Sequence, residues 1–206
     1  MSEQVSVTVY GIDELSAKAK EYAIGHIRES IENCEELSWR FEQELETLGY
    51  PIDQIEWSLG CCQGDGMAFY GKIPDIHKIA LVIGMTEEEA ESLKDYSLTI
   101  MKNSFGHHYS HWNTMTLNED DVDNSQFYQT DENGDCVAMT EGGSDYILNP
   151  TYSAFRDLLI AHIKSTSKRL EALGYEIIET NESDERCIEI AHETEMRFTE
   201  SGREWT

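Results

Sequence analysis

The sequence predicts an α+β protein: an antiparallel sheet of about four to six strands packed with helices, in a single domain over residues 1–206 with an acidic loop inserted at 118–149. Three observations predict it. Several stretches place apolar residues three and four apart, as one face of a helix requires. Others are short, β-branched or aromatic, and bounded by glycine. The 206 residues are 39% hydrophobic and 10% aromatic, which is enough to build a core.

Taken in order, residues 5–9 (VSVTV) alternate and predict a short strand. Ile12, Leu15, Ala19, Tyr22, Ala23, Ile27 and Ile31 form an apolar stripe, so residues 16–32 read as a helix capped by Ser16. Asn33 and Glu36 mark a second helix start. Its stripe is Leu37, Phe41, Leu45 and Leu48, with Gly49 as left-handed cap and Pro51 as the block beyond it. Residues 54–60 and 66–71 read as strands joined through CCQGDG, with Asp65-Gly66 setting a tight type I′ turn. Residues 78–83 (KIALVI) are strand or buried helix; periodicity does not separate the two. Thr86 and Glu89 form a capping box for an acidic helix over 87–95. Residues 96–103 and 108–117 read as a hairpin turning near Phe105, Gly106 and His107.

Residues 118–149 hold nine acids and no Lys or Arg, and read as a long loop or partly ordered insertion. Asn149 and Pro150 then open a helix over 150–173, closed by Gly174. Residues 175–179 read as a strand, 182–195 as a last helix, and Met196 to Trp205 as a strand and turn. LETLGYPI (45–52) echoes LEALGYEI (170–177), which is read as two helices that end in the same way, with Leu inside, Gly as cap and Tyr folded back.

Charge narrows the function. Forty-one Asp and Glu against 15 Lys and Arg give −26. Direct binding to nucleic acid or to an anionic membrane needs clustered bases and is excluded on this balance. The two halves of the chain carry equal shares, so the charge is not a tail. Carboxylates on helices and loops can imitate DNA phosphates, and would then address a host protein or complex with a basic surface, in the basic channel of a nuclease, restriction enzyme or CRISPR complex. The alternative reading of the charge is solubility, or a halophilic or simply acidic proteome. The five cysteines, Cys34, Cys61, Cys62, Cys136 and Cys187, include no CxxC and read as free thiols of a reducing cytosol. No signal peptide and no 18-residue apolar run is present, so the expected location is cytoplasmic.

The candidate sites are few. Gln63, Gly64, Asp65 and Gly66 form a polar turn whose carboxylate could hold a metal or act as a base. His107, His108 and His111 cluster with Tyr109 and Trp112. On a strand His107 and His111 would stand about 13 Å apart, too far for one ion. Asp121, Asp123, Ser125 and Glu132 partly match a calcium loop, but Gln126 stands where glycine is required. No GxSxG, HExxH, P-loop or GxGxxG occurs, and no cofactor is implied. The acids singled out for partner binding are Glu87, Glu88, Glu89 and Glu91, with Glu119, Asp120, Asp121 and Asp123. Exposed strand edges with Trp57, Trp112 or Trp205 offer a surface for a homodimer.

Three segments carry a resemblance: VYGIDELSAKAKEYAI (9–24), IEWSLGCCQGDGMAFYG (55–71) and IEIAHETEMRFTESGREW (188–205), with GHHYSHWNTM (106–115) beside them. In these the chain resembles a family of largely uncharacterised bacteriophage and prophage proteins, some labelled antitoxins of toxin–antitoxin systems. The QGDG turn is the most specific part, and residues 118–149 diverge. The resemblance implies a phage product in an infected bacterial cytoplasm. It favours a non-enzymatic inhibitor of a host defence or nucleic-acid-processing protein. The alternatives are an antitoxin-like protein neutralising a basic toxin, and a metal-binding enzyme centred on Asp65 and His108 or His111.

Overall fold

The computed structural model describes residues 7–60, 64–103, 110–120, 128–130, 136–138 and 150–206. The described residues form an α+β structure with six helices and a four-stranded antiparallel sheet. By its contacts the chain divides into two compact units, Met1–Leu37 with Leu173–Thr206, and Ser38–Ala172.

In the first unit, helix α1 (Ala17–Ser30) starts where the Ser16 hydroxyl accepts the Ala19 N–H. Its buried face, Ala23, Ile24 and Ile27, packs with Ile12, Cys187, Ala191 and Phe198. Of the strand expected at 5–9, residues 5 and 6 lie outside the described residues and residues 7–9 form no strand. Val7 and Val9 stay exposed, and among the described residues pairing here is reduced to a bridge between Tyr10 and Phe198. Helix α6 (Asp184–Glu193) is capped by Ser183, whose hydroxyl accepts the Arg186 N–H. Arg28 ties α1 to its start, donating from Nε to the Glu182 carbonyl at 2.7 Å and pairing with Asp184. Of the cysteines whose thiols are described, Cys34 is exposed and Cys187 buried, and both are free.

Helices α2 (Cys34–Leu48) and α5 (Pro150–Asn181) each contribute residues to both units. The expected N-cap bonds of α2 are not made. Asn33 and Glu36 accept hydrogen bonds from Asn181 at the end of α5, and Asn33 also donates to Glu182. At its other end α2 closes as expected. Gly49 has φ +85°, its N–H reaches the Glu46 carbonyl, and the Tyr50 N–H reaches that of Leu45. Helix α5 corrects the echo. It passes through Gly174 to Asn181, so there is neither a cap at Gly174 nor a strand at 175–179. Pro51 follows the first LGY and cannot continue a helix; Glu176 follows the second and can.

The second unit contains the sheet, in the order β1 (Gln54–Ser58), β2 (Gly66–Lys72), β3 (Ser97–Lys102), β4 (Met115–Asp120), all neighbours antiparallel. Trp57 lies opposite Met67 and Ile55 opposite Phe69, so these four share a face. Phe41 of α2 meets Trp57 edge-on at 6.3 Å, and Tyr50 lies 4.9 Å from Phe69. The open choice at 78–83 resolves as helix α3 (Ile76–Val82), which Asp75 caps at Lys78 and which buries Ile76, Ile79 and Ala80. Helix α4 (Glu87–Leu93) carries the expected capping box. The acidic insertion is not loop throughout. β4 runs to Asp120, and β5 (Tyr128–Thr130) pairs antiparallel with β6 (Cys136–Ala138). Among the described residues no helix is long and apolar enough to cross a membrane.

Gly25 sits inside α1 with open space around it: nothing lies within 4 Å of where a Cβ would stand. A Cβ on Gly202, by contrast, would stand 2.1 Å from the Ala19 carbonyl oxygen, at φ +86°. Gly25→Ala is expected to raise unfolding free energy by about 0.5–1 kcal/mol. Gly202→Ala is expected to lower it by about 1–3 kcal/mol. Urea unfolding midpoints of both variants check this.

Candidate functional site

Two motifs separated by some forty residues in sequence meet at the start of β2. The β1–β2 pairing ends at Ser58 opposite Gly66, so the connection runs over residues 59–65. Asp65-Gly66 is therefore not the centre of a two-residue type I′ turn, and Gly66 opens the strand. Its hydrogen is needed for close approach. A Cβ there would stand 2.7 Å from the Ser110 carbonyl oxygen and 3.0 Å from the His111 ring. Asp65 beside it is 8% exposed and accepts from the Ser58 hydroxyl at 3.2 Å. Gln63 lies outside the described residues, and Gly64 sits in the turn before the strand.

His111 does not stand on a strand. It caps a 3-10 turn, Trp112–Thr114, its Nδ1 accepting from the Asn113 N–H at 3.3 Å, and β4 starts only at Met115. The expected strand gives way here because the Thr114 hydroxyl donates locally, to the His111 carbonyl at 2.7 Å, and closes the turn. The same oxygen accepts from the buried Tyr70 hydroxyl at 2.8 Å. Burial, chiefly, pushes the Tyr70 phenol above its ordinary range, so it remains a donor. The chain Tyr70–Thr114–His111 thus locks the histidine segment against β2. His107, His108 and Tyr109 lie outside the described residues, as do the calcium-loop positions Asp121, Asp123, Ser125 and Glu132. Among the described residues no three His, Cys, Asp or Glu side chains converge as a metal site.

Sequence reasoning missed a second polar pair. The Tyr50 hydroxyl lies 2.7 Å from His162 Nδ1, with the rings stacked at 5.7 Å. Burial raises the Tyr50 phenol far above its usual value, so it donates. Burial, with Arg169 adding to it, holds the His162 imidazole below its ordinary 6.5, so it accepts in the neutral form. The LGY motif signals the inward Tyr50; nothing in the sequence signals its partner on α5.

The acidic residues are placed as follows. Glu87, Glu88, Glu89 and Glu91 are all exposed on α4. Glu87 meets His77 Nε2 at 3.1 Å, and Glu91 pairs with Lys94. The Lys94 ammonium holds Glu91 below the usual carboxylate range. Glu89 takes the Thr86 N–H at 2.9 Å and the Thr86 hydroxyl at 2.8 Å, which lower its pKa, the backbone bond most. Glu88 has no ion pair among the described residues. Glu119 and Asp120 end β4, where their backbones lie opposite Leu98 and Ser97.

No protein-family model, curated protein or solved structure matches this chain.

Two expectations follow from the geometry. Gly66→Ala forces the His111 segment away and is expected to cost about 1–3 kcal/mol of stability, measured by denaturant titration, with a change in tryptophan emission as Trp112 moves. The His162 pKa is depressed in the fold. The stability carried by the neutral Tyr50–His162 pair is therefore full above the unfolded imidazole value of about 6.5 and is lost as pH falls through the folded value. Relief of carboxylate repulsion acts in the opposite direction on acidification. The measurement is thus the difference in urea midpoint between the native chain and His162→Gln, expected to shrink below about pH 6.5.

Proposed function

We propose that this chain is a phage-encoded, non-enzymatic inhibitor of a host defence or nucleic-acid-processing protein, engaging a basic surface through carboxylates that imitate DNA phosphates. The observation that carries the reading is the display of acids on ordered elements. On α4, Glu87, Glu88, Glu89 and Glu91 all face solvent within one short helix. Four residue steps of helix rise about 6 Å. The same length of duplex carries about three to four phosphates, at one charge per ~1.7 Å. The spacing of the carboxylates is thus comparable to that of duplex phosphates, with the Glu91 charge partly offset by Lys94. The charge also runs through both compact units: 18 acids against 6 bases in the first, 23 against 9 in the second. Such a field steers a basic partner and makes association fast and salt-sensitive.

Affinity capture from infected-host lysate at low and high salt tests the reading. A large nuclease or CRISPR-type complex, retained at low salt and released at high salt, is expected. A single small basic toxin would instead favour the antitoxin-like alternative. Glu87→Lys with Glu88→Lys is expected to weaken capture and flatten its salt dependence. Glu89 is left intact because it caps α4. If this pair and the set Glu119, Asp120, Asp121 and Asp123 can both be neutralised without loss of binding, the surface is wrong.

The contact of His111 with Gly66, beside buried Asp65, favours one other reading, a metal-binding enzyme centred on Asp65 with His108 or His111. Metal analysis of the purified protein and of Asp65→Ala decides it; metal retained by the first and lost from the second supports that reading.

A further inference from the structure

A cavity of about 180 Å³ opens between the β3–β4 hairpin and α5. Ile100, Leu117 and Ile163 line its apolar wall, and Ile160, 42% exposed, stands at its edge. Trp112 and Lys164 also line it, with the Lys164 ammonium 3.9 Å from the indole centroid. One turn further along α5, Lys168 approaches the same ring at 5.7 Å. Residues 150–170 hold four of the chain's 15 bases, Arg156, Lys164, Lys168 and Arg169, against one acid, Asp157. Arg169 is paired with Glu44 at 2.9 Å. Neither Lys164 nor Lys168 has a carboxylate partner among the described residues, in a chain with 41 acids.

Two like charges over one indole repel each other. Packing lysine stems on a tryptophan accounts for one of them as a surface cover. It does not account for a Lys164 ammonium that lines an apolar cavity with no carboxylate partner among the described residues, beside a second ammonium, that of Lys168, in the same condition over the same ring. A ligand carrying its own negative charge would meet both needs. Its apolar body would fill the cavity, and its anion would lie against the Lys164 ammonium. The volume sets the size. A cavity of roughly 150 Å³ accepts benzene. This one therefore suits a single six-membered ring or a branched aliphatic group of similar bulk.

We infer that this cavity is a binding site for a small amphipathic monocarboxylate, with Ile100, Leu117 and Ile163 enclosing its apolar body, Trp112 at its edge, and Lys164 as the counter-charge. The site is independent of the acidic surface on α4 and does not rest on the inhibitor reading.

Phenylacetate and its uncharged isostere phenylacetamide are the probes. Each is titrated into the intact, isotopically labelled chain, and the Trp112 indole N–H resonance is followed. Saturable binding of phenylacetate is expected, about tenfold tighter than phenylacetamide. Lys164→Met keeps the stem and removes the charge. It is expected to weaken phenylacetate about tenfold and leave phenylacetamide unchanged. Ile160→Trp fills the cavity and is expected to abolish binding of both. The inference is overturned if phenylacetate causes no saturable shift at Trp112, or if the two probes bind alike and Lys164→Met alters neither. It is also overturned if folded Ile160→Trp binds phenylacetate as tightly as the native chain does. Lys164 is at an exposed position, so that variant decides the question even if Ile160→Trp does not fold.

Discussion

Strand β2 is buried from Gly66 to Tyr70, and that burial constrains what surrounds it. A buried strand cannot send its N–H and carbonyl groups to water, and each one left unmet costs about 1–3 kcal/mol. On one edge β1 meets the requirement over its whole length. On the other, β3 pairs only at Gly71 and Lys72. The rest must be supplied by groups arriving from distant sequence. The Ser167 hydroxyl of α5 donates to the Met67 carbonyl and Met115 Sδ accepts the Phe69 N–H at 3.4 Å; beside these backbone groups, Thr114 meets the buried side-chain hydroxyl of Tyr70. These bonds place α5 and the 3-10 turn. The positions of His111 and Trp112 follow, and with them both the junction at Gly66 and the cavity beside Lys164.

The large acidic excess is handled differently in different places. Some carboxylates have structural work. Glu89 closes a helix cap, Glu56 meets Lys102 at 2.6 Å above Tyr70, and Asp184 joins the start of α6 to Arg28. Such exposed pairs contribute little individually. The remaining acids repel one another and lower the stability of the compact state, a cost that binding to a basic partner would offset. Set against this background, the basic stretch of α5 is an inversion of sign. It falls where the sheet and α5 leave an apolar cavity open, so one helix carries both a structural partner of β2, Ser167, and the cations of the proposed carboxylate site.

Legibility in the sequence follows the range of the interaction. Ser16, Thr86 with Glu89, and Gly49 with Pro51 each act within four residues, and each marks a helix end in the sequence and in the fold alike. The α+β class is legible for the same reason, because stripe and alternation are local patterns. The two LGY segments mark the limit. Their shared residues suggest a shared ending, but the residue after them differs, and α5 tolerates Gly174 at a cost of about 1 kcal/mol relative to alanine. Asn33 and Glu36 have the look of a helix start, yet their side chains are engaged with Asn181 and Glu182, a partnership no local pattern contains.

By itself, then, the sequence determined the class of fold, most helix starts, the inward Tyr50 and the overall sign of the surface. All of these rest on short-range sterics, capping bonds and composition. Only the tertiary structure decided that Gly66 serves close approach rather than a turn, that His111 caps a 3-10 turn, that His162 accepts from Tyr50, and that Lys164 and Trp112 border one cavity. In each case the deciding contact joins residues tens of positions apart, and its energy comes from burial, which is a property of the packed chain and not of any segment of it.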